Sequence, residues 1–451
     1  MAATRPAATA ITIVPDTANA LAVFVAFSVH NADSARVLYR AGANAEQATA
    51  TVAVHDSAQV PILGLPAGVA ATVRVVAISG TRADTSRSMT GPVPPVPDVV
   101  RRVHLQTTSG SPSGGYVLTA VSLGDTAYAV AFDTSGRVAW YRAFPGGGQA
   151  SDAYQQPNGN VSVFVGTSTG SSPANGYFAE LRPTGELVRE WRTPAGYYMD
   201  GHELRVGDSG AASYYFGYDY KPTDYTSRGG PADSVVAAHT IFRVDAGGTV
   251  TPVFAARDHF TVPDYVIPPF NFGDYDHPNS LDVDRDGGLI VSWRNFGEVS
   301  KIDPATGQFV WRLGGAHNQF TFVNDPLNGF GGQHYARVLP NGNLLLFDNG
   351  WTHAPYETRA VEYRLDVAAH TATLVWQFRH QPVLFTPFVG SVQRLASGHT
   401  FIGYAYSNVA TEVDAAGAVT WEGDIFIDGA LSTETAYRLL KIPSLSQYGL
   451  P

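Results

Sequence analysis

From about residue 100 onward one short pattern returns six times. A polar or acidic residue leads into a turn, usually with glycine, and then a strand that carries an aromatic side chain. The copies read DTSGRVAWYR, RPTGELVREWR, DAGGTVTPVF, DPATGQFVWRL, VAAHTATLVWQF and DAAGAVTWEG. Phe254 stands near the Trp place in the third copy, and His370 near the glycine place in the fifth. A second set of turns runs in step with the first: SGGY, NGNV, DSGA, DGGL, NGNL and SGHT. At about 57 residues a copy, each unit has room for four short antiparallel strands. Such units cannot bury both faces alone, and a radial array that closes on itself protects most sheet edges. The pattern therefore predicts an all-β chain with a six-bladed β-propeller over residues 100–451, its Trp side chains packed between neighbouring blades.

Residues 1–90 differ. ALAVFVAFSV, SARVLYRAG and ATVRVVAIS alternate or run apolar, as strands of a small β-sandwich do. ILGLPAGVAATVRVVA resembles a corner and strand of a fibronectin III/Ig-like sandwich. Residues 91–99, with GPVPPVP, read as a semi-rigid linker. The chain has no cysteine, which excludes disulfides and thiolate chemistry, and a net charge of −10 with no basic run, which argues against nucleic acid as a partner. No apolar run approaches the roughly 20 residues of a membrane span, and the N-terminus lacks the apolar core of a signal peptide.

In a closed array, equivalent positions gather around the axis. The place eight residues before the inner-turn glycine holds Ser151, His202, Asn279, His334 and Gly390. His277 precedes Asn279 by two residues, so a period of two assigns both to one strand face. Arg294 lies seven residues past Gly287, at a place shared with Asn349 and Ala405. His202, His277, Asn279, Arg294 and His334 together offer a nucleophile, proton carriers and a planar fork suited to an oxyanion. The surplus segments YYFGYDYKPTDYTSRGG and FTVPDYVIPPFNFGDYDHP read as long aromatic loops able to wall a flat ligand. DVDRDG opens like a Ca²⁺ loop but ends on Trp293, and a tight turn suffices for it. His353, His380 and His399 are isolated and suit packing or surface roles.

DYDHPNSLDVDRDGGLIVSWRNFGEVSKIDPATGQFVWRLGG, followed by QHYARVLPNGNLLLFDNG, resembles the bacterial PAPS-independent arylsulfate sulfotransferases. The resemblance implies a sandwich ahead of a six-bladed propeller. It also implies transfer of a sulfuryl group from an aryl sulfate to a phenolic acceptor through a sulfohistidine. By that resemblance His334 is the nucleophile, while His277, Asn279 and Arg294 hold the sulfuryl oxygens. His202 then assists at the phenol oxygen. The partners implied are small phenolic donors and acceptors, with no cofactor or metal, an extracytoplasmic (periplasmic or secreted) location, and room for a homodimer. Two other readings of the same residues stay open. One is acid/base chemistry, as in a lyase, isomerase or cyclase acting on an aromatic or polyhydroxylated substrate. The other is a non-catalytic binding propeller.

Overall fold

The computed structural model describes all residues except 1–4, 17–18, 20, 167–175, 209, 268–272, 429–435 and 446–451. Strands account for nearly every regular element, and the helical elements among the described residues are short 3₁₀ turns.

Residues 100–445 form six sheets, each of four or five strands. Sheet I holds Tyr116–Leu123, Thr126–Phe132 and Val138–Pro145, and its inner edge is Leu439–Ile442 from the far end of the chain. Sheet II runs from Gln149–Gln155 to Leu187–Trp191, sheet III from Tyr198–Arg205 to Val250–Ala255, and sheet IV from Pro278–Val283 to Gln308–Gly314. Sheet V runs from His334–Val338 to Thr371–Arg379, with Thr321–Val323 added in parallel at its outer edge. Sheet VI runs from Ser391–Arg394 to Val419–Ile427, and Val103–Gly110 adds its outermost strand. Inner strands of successive sheets touch from II through VI, and both sheets II and VI touch sheet I, so the cycle closes. The arrangement is propeller-like. The strands before and after the repeats fasten it twice, once at the outer edge of sheet VI and once at the inner edge of sheet I.

The middle strands show why the sequence takes this form. Leu289–Trp293, Leu344–Asp348 and Thr400–Tyr404 are buried at every position, because a neighbouring sheet covers each face. The outer-strand aromatics fill the seams. Trp140 packs with Val161 and Val163, Trp191 with Leu204 and Tyr215, Phe254 with Leu281 and Trp293, Trp311 with Leu344 and Val361, and Trp421 with Val117 and Val130. Trp376 lies half-buried against the core between sheets V and VI. A buried aromatic of this size contributes on the order of 3 kcal/mol through apolar burial. In the fifth outer hairpin, His370 adopts φ 53° where its counterparts are glycine, and its Nδ1 lies 2.9 Å from Gln319 O. That bond offsets part of the strain of a left-handed non-glycine residue.

One inner turn departs from expectation. SGGY does not join two strands of one sheet, because the inner strand of sheet I comes from Leu439–Ile442 rather than from the chain just upstream. The surplus segments also differ. YYFGYDYKPT is strand, not loop: Ser213–Thr223 pairs along its length with Ser234–Val244 to make an elongated hairpin. Phe260, Tyr265 and Tyr275 are buried with Phe296 between sheets III and IV and form no exposed wall. Residues 268–272 of that stretch lie outside the described residues.

Before the repeats, Ala7–Pro15, Val23–His30 and Ser57–Ile62 make one sheet, and Ser34–Ala41 pairs with Ala71–Ser79 in a second. Val25, Phe27, Val37, Tyr39, Val60 and Val73 form one core between them. Leu21 reaches out of this unit into the seam holding Val103, Leu105 and Trp421.

Candidate active site

The inner strands of sheets II to V are irregular near their starts. Pairing slips between Ser151 and Tyr154, Met199 and Leu204, Pro278 and Ser280, and His334 and Arg337. Asp152, His277, Tyr335 and Val389 take positive φ at these entries. Bulges of this kind re-aim side chains beside a site. They also break the period of two. His277 lies just before its strand with φ 49°, so it does not share a strand face with Asn279 as expected. The structure nevertheless brings both to one place, by different routes.

His334 is buried. Its Nδ1 lies 2.8 Å from Asn349 Oδ1 and 3.0 Å from Gly332 O. Both neighbours accept, so Nδ1 carries the proton and Nε2 keeps its lone pair. The backbone N–H of Val389 donates to Nε2 at 3.2 Å. Burial holds the His334 pKa well below the ordinary imidazole value. The bond to Asn349 opposes this, and Arg294, with His277 and His202 whenever they are protonated, adds to it. Those influences place all three side chains near the ring.

Asn279 is buried against the chain leading into His334, and its Nδ2 donates to Gln333 O at 2.7 Å. Its Oδ1 is buried without a hydrogen-bond partner. Its own carbonyl accepts from Tyr437 Oη at 3.2 Å and from Arg438 Nη2 at 2.5 Å. Arg294 is buried too, with Nη1 donating to Asn295 Oδ1 at 2.8 Å and the guanidinium 5.7 Å from the Trp351 ring. Burial lowers its pKa to about 10 against the pull of Asp274.

The other two imidazoles sit on carboxylates. His277 Nδ1 is 2.9 Å from Asp274, and burial keeps its pKa low although Asp274 pulls it up. Burial would raise Asp274, but the charge and hydrogen bond of His277 bring it to about 2. His202 Nδ1 is 2.8 Å from Asp200. Burial would also raise Asp200, but His202 and His239 hold it well below the carboxylate range. The His202 and His277 rings meet edge to face with centroids 5.0 Å apart, and Tyr437 lies 5.4 Å from His202. Both imidazoles are half-buried.

The five expected side chains therefore converge. Sequence reasoning missed their supports. Asp200, Asp274 and Asp276 stand one to three residues before a histidine, a signal visible in MDGH and DYDH. Asn349 was named only as a counterpart of Arg294, and its role follows from that shared place. His239 gave no signal, because its partner Asp276 lies 37 residues away.

Other singled-out residues lie elsewhere. His353 pairs with Asp348, His380 with Glu422 and His399 with Glu412. His259 stacks on Phe254. Lys301 Nζ donates to both Asp284 and Asp286 at 2.6 Å, so two of the three DVDRDG carboxylates hold an ammonium. Among the described residues no group of three or more His, Asp or Glu is arranged to hold a metal ion. None of their helices is long and apolar enough to cross a membrane.

A family model for arylsulfotransferase (ASST) matches residues 101–438. The chain belongs to the arylsulfotransferase family. Membership assigns it a sulfotransferase-type, group-transferring function at the level of the family. The match takes in all five site residues and every strand of the six sheets except the inner strand of sheet I, Leu439–Ile442. No curated protein matches the chain. Several solved structures are similar over the region. A Bacteroides caccae protein of unknown function is 15% identical, covering 74% of this chain and 100% of its own, with a TM-score of 0.44. A catalytically inactive virginiamycin B lyase from Staphylococcus aureus, solved with quinupristin, is 10% identical over 73% of this chain and 89% of its own, TM-score 0.36. A calcium-binding regucalcin from Agrobacterium tumefaciens is 14% identical over 73% and 97%, TM-score 0.32.

Proposed function

We propose that this arylsulfotransferase moves a sulfuryl group from an aryl sulfate to a phenol by two displacements at His334 Nε2. In this reading the six sheets are the blades of a six-bladed propeller, residues 100–451 are the catalytic domain, and residues 1–90 are a fibronectin III-like sandwich joined by the 91–99 linker. The observation that carries the reading is the asymmetry of the His334 ring. Two neutral oxygens hold Nδ1–H, and burial keeps the ring unprotonated, so an intact lone pair at Nε2 is available near neutral pH.

In the first displacement Nε2 forms a bond to sulfur as the bond from sulfur to the aryl oxygen breaks. The departing oxygen takes the electron pair and accepts a proton from His202. The Val389 N–H, which donates to Nε2 at 3.2 Å in the resting site, keeps its proton and turns its hydrogen bond to a sulfuryl oxygen, freeing the Nε2 lone pair. In the second displacement His202 accepts the proton of the incoming phenol. That oxygen attacks sulfur, and the N–S pair returns to His334. Charge on the sulfuryl oxygens is held by Arg294, by the second N–H of the Asn279 amide, and by His277 in its protonated form. Sulfuryl transfer parallels phosphoryl transfer, where positioning and charge stabilisation supply most of the rate. An arriving anion stabilises the protonated form of His277, so donor binding is expected to draw a proton from solution. The donor brings its own activated group, and the chemistry needs no added cofactor. An extracytoplasmic setting accords with the family.

The test is direct. The protein incubated with 4-nitrophenyl sulfate and no acceptor should gain one sulfuryl group on His334, detected by peptide mass spectrometry under alkaline handling. Absence of both adduct and phenol release across a panel of aryl sulfates would overturn the reading. Retained turnover of another substrate in His334→Asn would point instead to acid/base chemistry on the carboxylate-held histidines.

A further inference from the structure

His239 takes no part in the displacements, yet it is buried at the centre of the polar network. It lies on Ser234–Val244, the third strand of sheet III. Its Nε2 is 3.2 Å from Asp200 Oδ2, and its Nδ1 is bonded to Asp276 Oδ1. The other Asp276 oxygen accepts the His239 backbone N–H at 2.8 Å. With acceptors at both ring nitrogens, the ring satisfies both only as an imidazolium. Asp200 in turn holds His202 Nδ1, so an unbroken line runs His202, Asp200, His239, Asp276.

Charge counting gives this line a function. Two buried carboxylates face one permanent cation, which leaves one negative charge to be balanced. His202 is the most exposed member of the line, while Asp276 at the other end is fully buried. We propose that His239 is a positioning residue that cancels one of the two buried carboxylates and thereby sets how readily His202 holds the phenolic proton. The proposal rests on the sulfuryl-transfer reading for its meaning in catalysis, but the coupling itself is a property of the four residues. Burial works against charge on His239, and Asp276 and Asp200 overcome it, pushing its pKa up to about 10. The other groups facing the line do not replace this balance. Tyr218 packs 5.4 Å from the His239 ring, and burial pushes its phenol well above the ordinary value, so it stays neutral. Asp274 is already paired with His277. His202 itself faces Asp200, His277 and Tyr437, and the Tyr437 phenol is likewise pushed up by burial.

The experiment is an NMR titration of His202 in the full chain labelled at histidine Cε1, with the resonance assigned by its loss in His202→Asn. In His239→Gln the buried charge becomes more negative, and the His202 pKa should rise by about one unit. In Asp276→Asn it becomes less negative, and the pKa should fall by a similar step. His239→Gln with Asp276→Asn restores the original count, and the pKa should return towards wild type. A purely structural role for His239 predicts the reverse ordering, with the double variant most perturbed. An unmoved His202 in either single variant, or no return in the double, overturns the proposal. If His239→Gln does not fold, the fall in Asp276→Asn decides alone. The titration does not depend on turnover, so a protein that forms no sulfuryl adduct can still pass it. In an active enzyme, the acid limb of the acceptor half-reaction should move with the same sign in each variant.

Discussion

The two sides of the candidate site hold their histidines differently. On sheet V, His334 rests on an amide oxygen and a backbone carbonyl, both neutral. On sheets III and IV, His202, His239 and His277 all rest on carboxylates. A neutral acceptor fixes the tautomer without stabilising positive charge, so the ring stays a nucleophile. A carboxylate stabilises the imidazolium and makes the ring a carrier of protons. In the proposed reaction the atom behind Nδ1 thus divides the labour among side chains of identical chemistry.

The strongest way to break the comparison is to remove the neutral-held ring. His334→Asn should abolish the covalent adduct and slow transfer on the order of 10⁴-fold or more, measured by phenol release. An adduct that persists on a carboxylate-held histidine would invert the assignment. Next in size, Arg294→Met should slow transfer ~10²–10³-fold with a smaller change in KM, since its charge is used most in the transition state. The comparison is sharpened most by Asn349→Asp, which gives His334 the support its neighbours have. A carboxylate there favours the imidazolium and raises the His334 pKa. Activity should then fall about 10–10²-fold near pH 6 and recover as pH rises past the new value, whereas wild type should keep its rate as pH falls through 6.5. A flat pH ratio between the two proteins would show that the partner at Nδ1 does not matter. Asp200→Asn should act more gently. The rate with phenyl sulfate should drop about tenfold or more, and that with 4-nitrophenyl sulfate much less, because only the poorer leaving group needs the proton. The smallest effect belongs to a histidine-free control. Lys301→Met should leave transfer unchanged and alter stability by about 1 kcal/mol or less, read by denaturant titration.

The division between legible and hidden follows the range of the interactions. The repeats were legible because each hairpin writes its own turn and its own aromatic. The five converging residues were legible because a closed array turns register into position. Period-two reasoning failed at His277 because a bulge with positive φ intervenes, and sequence does not mark it. The aromatic segments were misread because Phe260, Tyr265 and Tyr275 fill a seam between sheets, while Tyr220 extends a hairpin. The carboxylates beside His202 and His277 could have been found from their spacing. His239 could not, since it reaches Asp276 only through the folding of two sheets.

The double fastening of the ring has a consequence for biosynthesis. Tyr437 and Arg438 contact the Asn279 carbonyl, and the residues just after them complete sheet I. A nascent polypeptide halted at residue 430 would already contain every reactive side chain yet could not assemble them. Reactivity towards sulfate esters should therefore switch on only once Leu439–Ile442 has left the ribosome and paired, and not grow by sixths as successive sheets emerge.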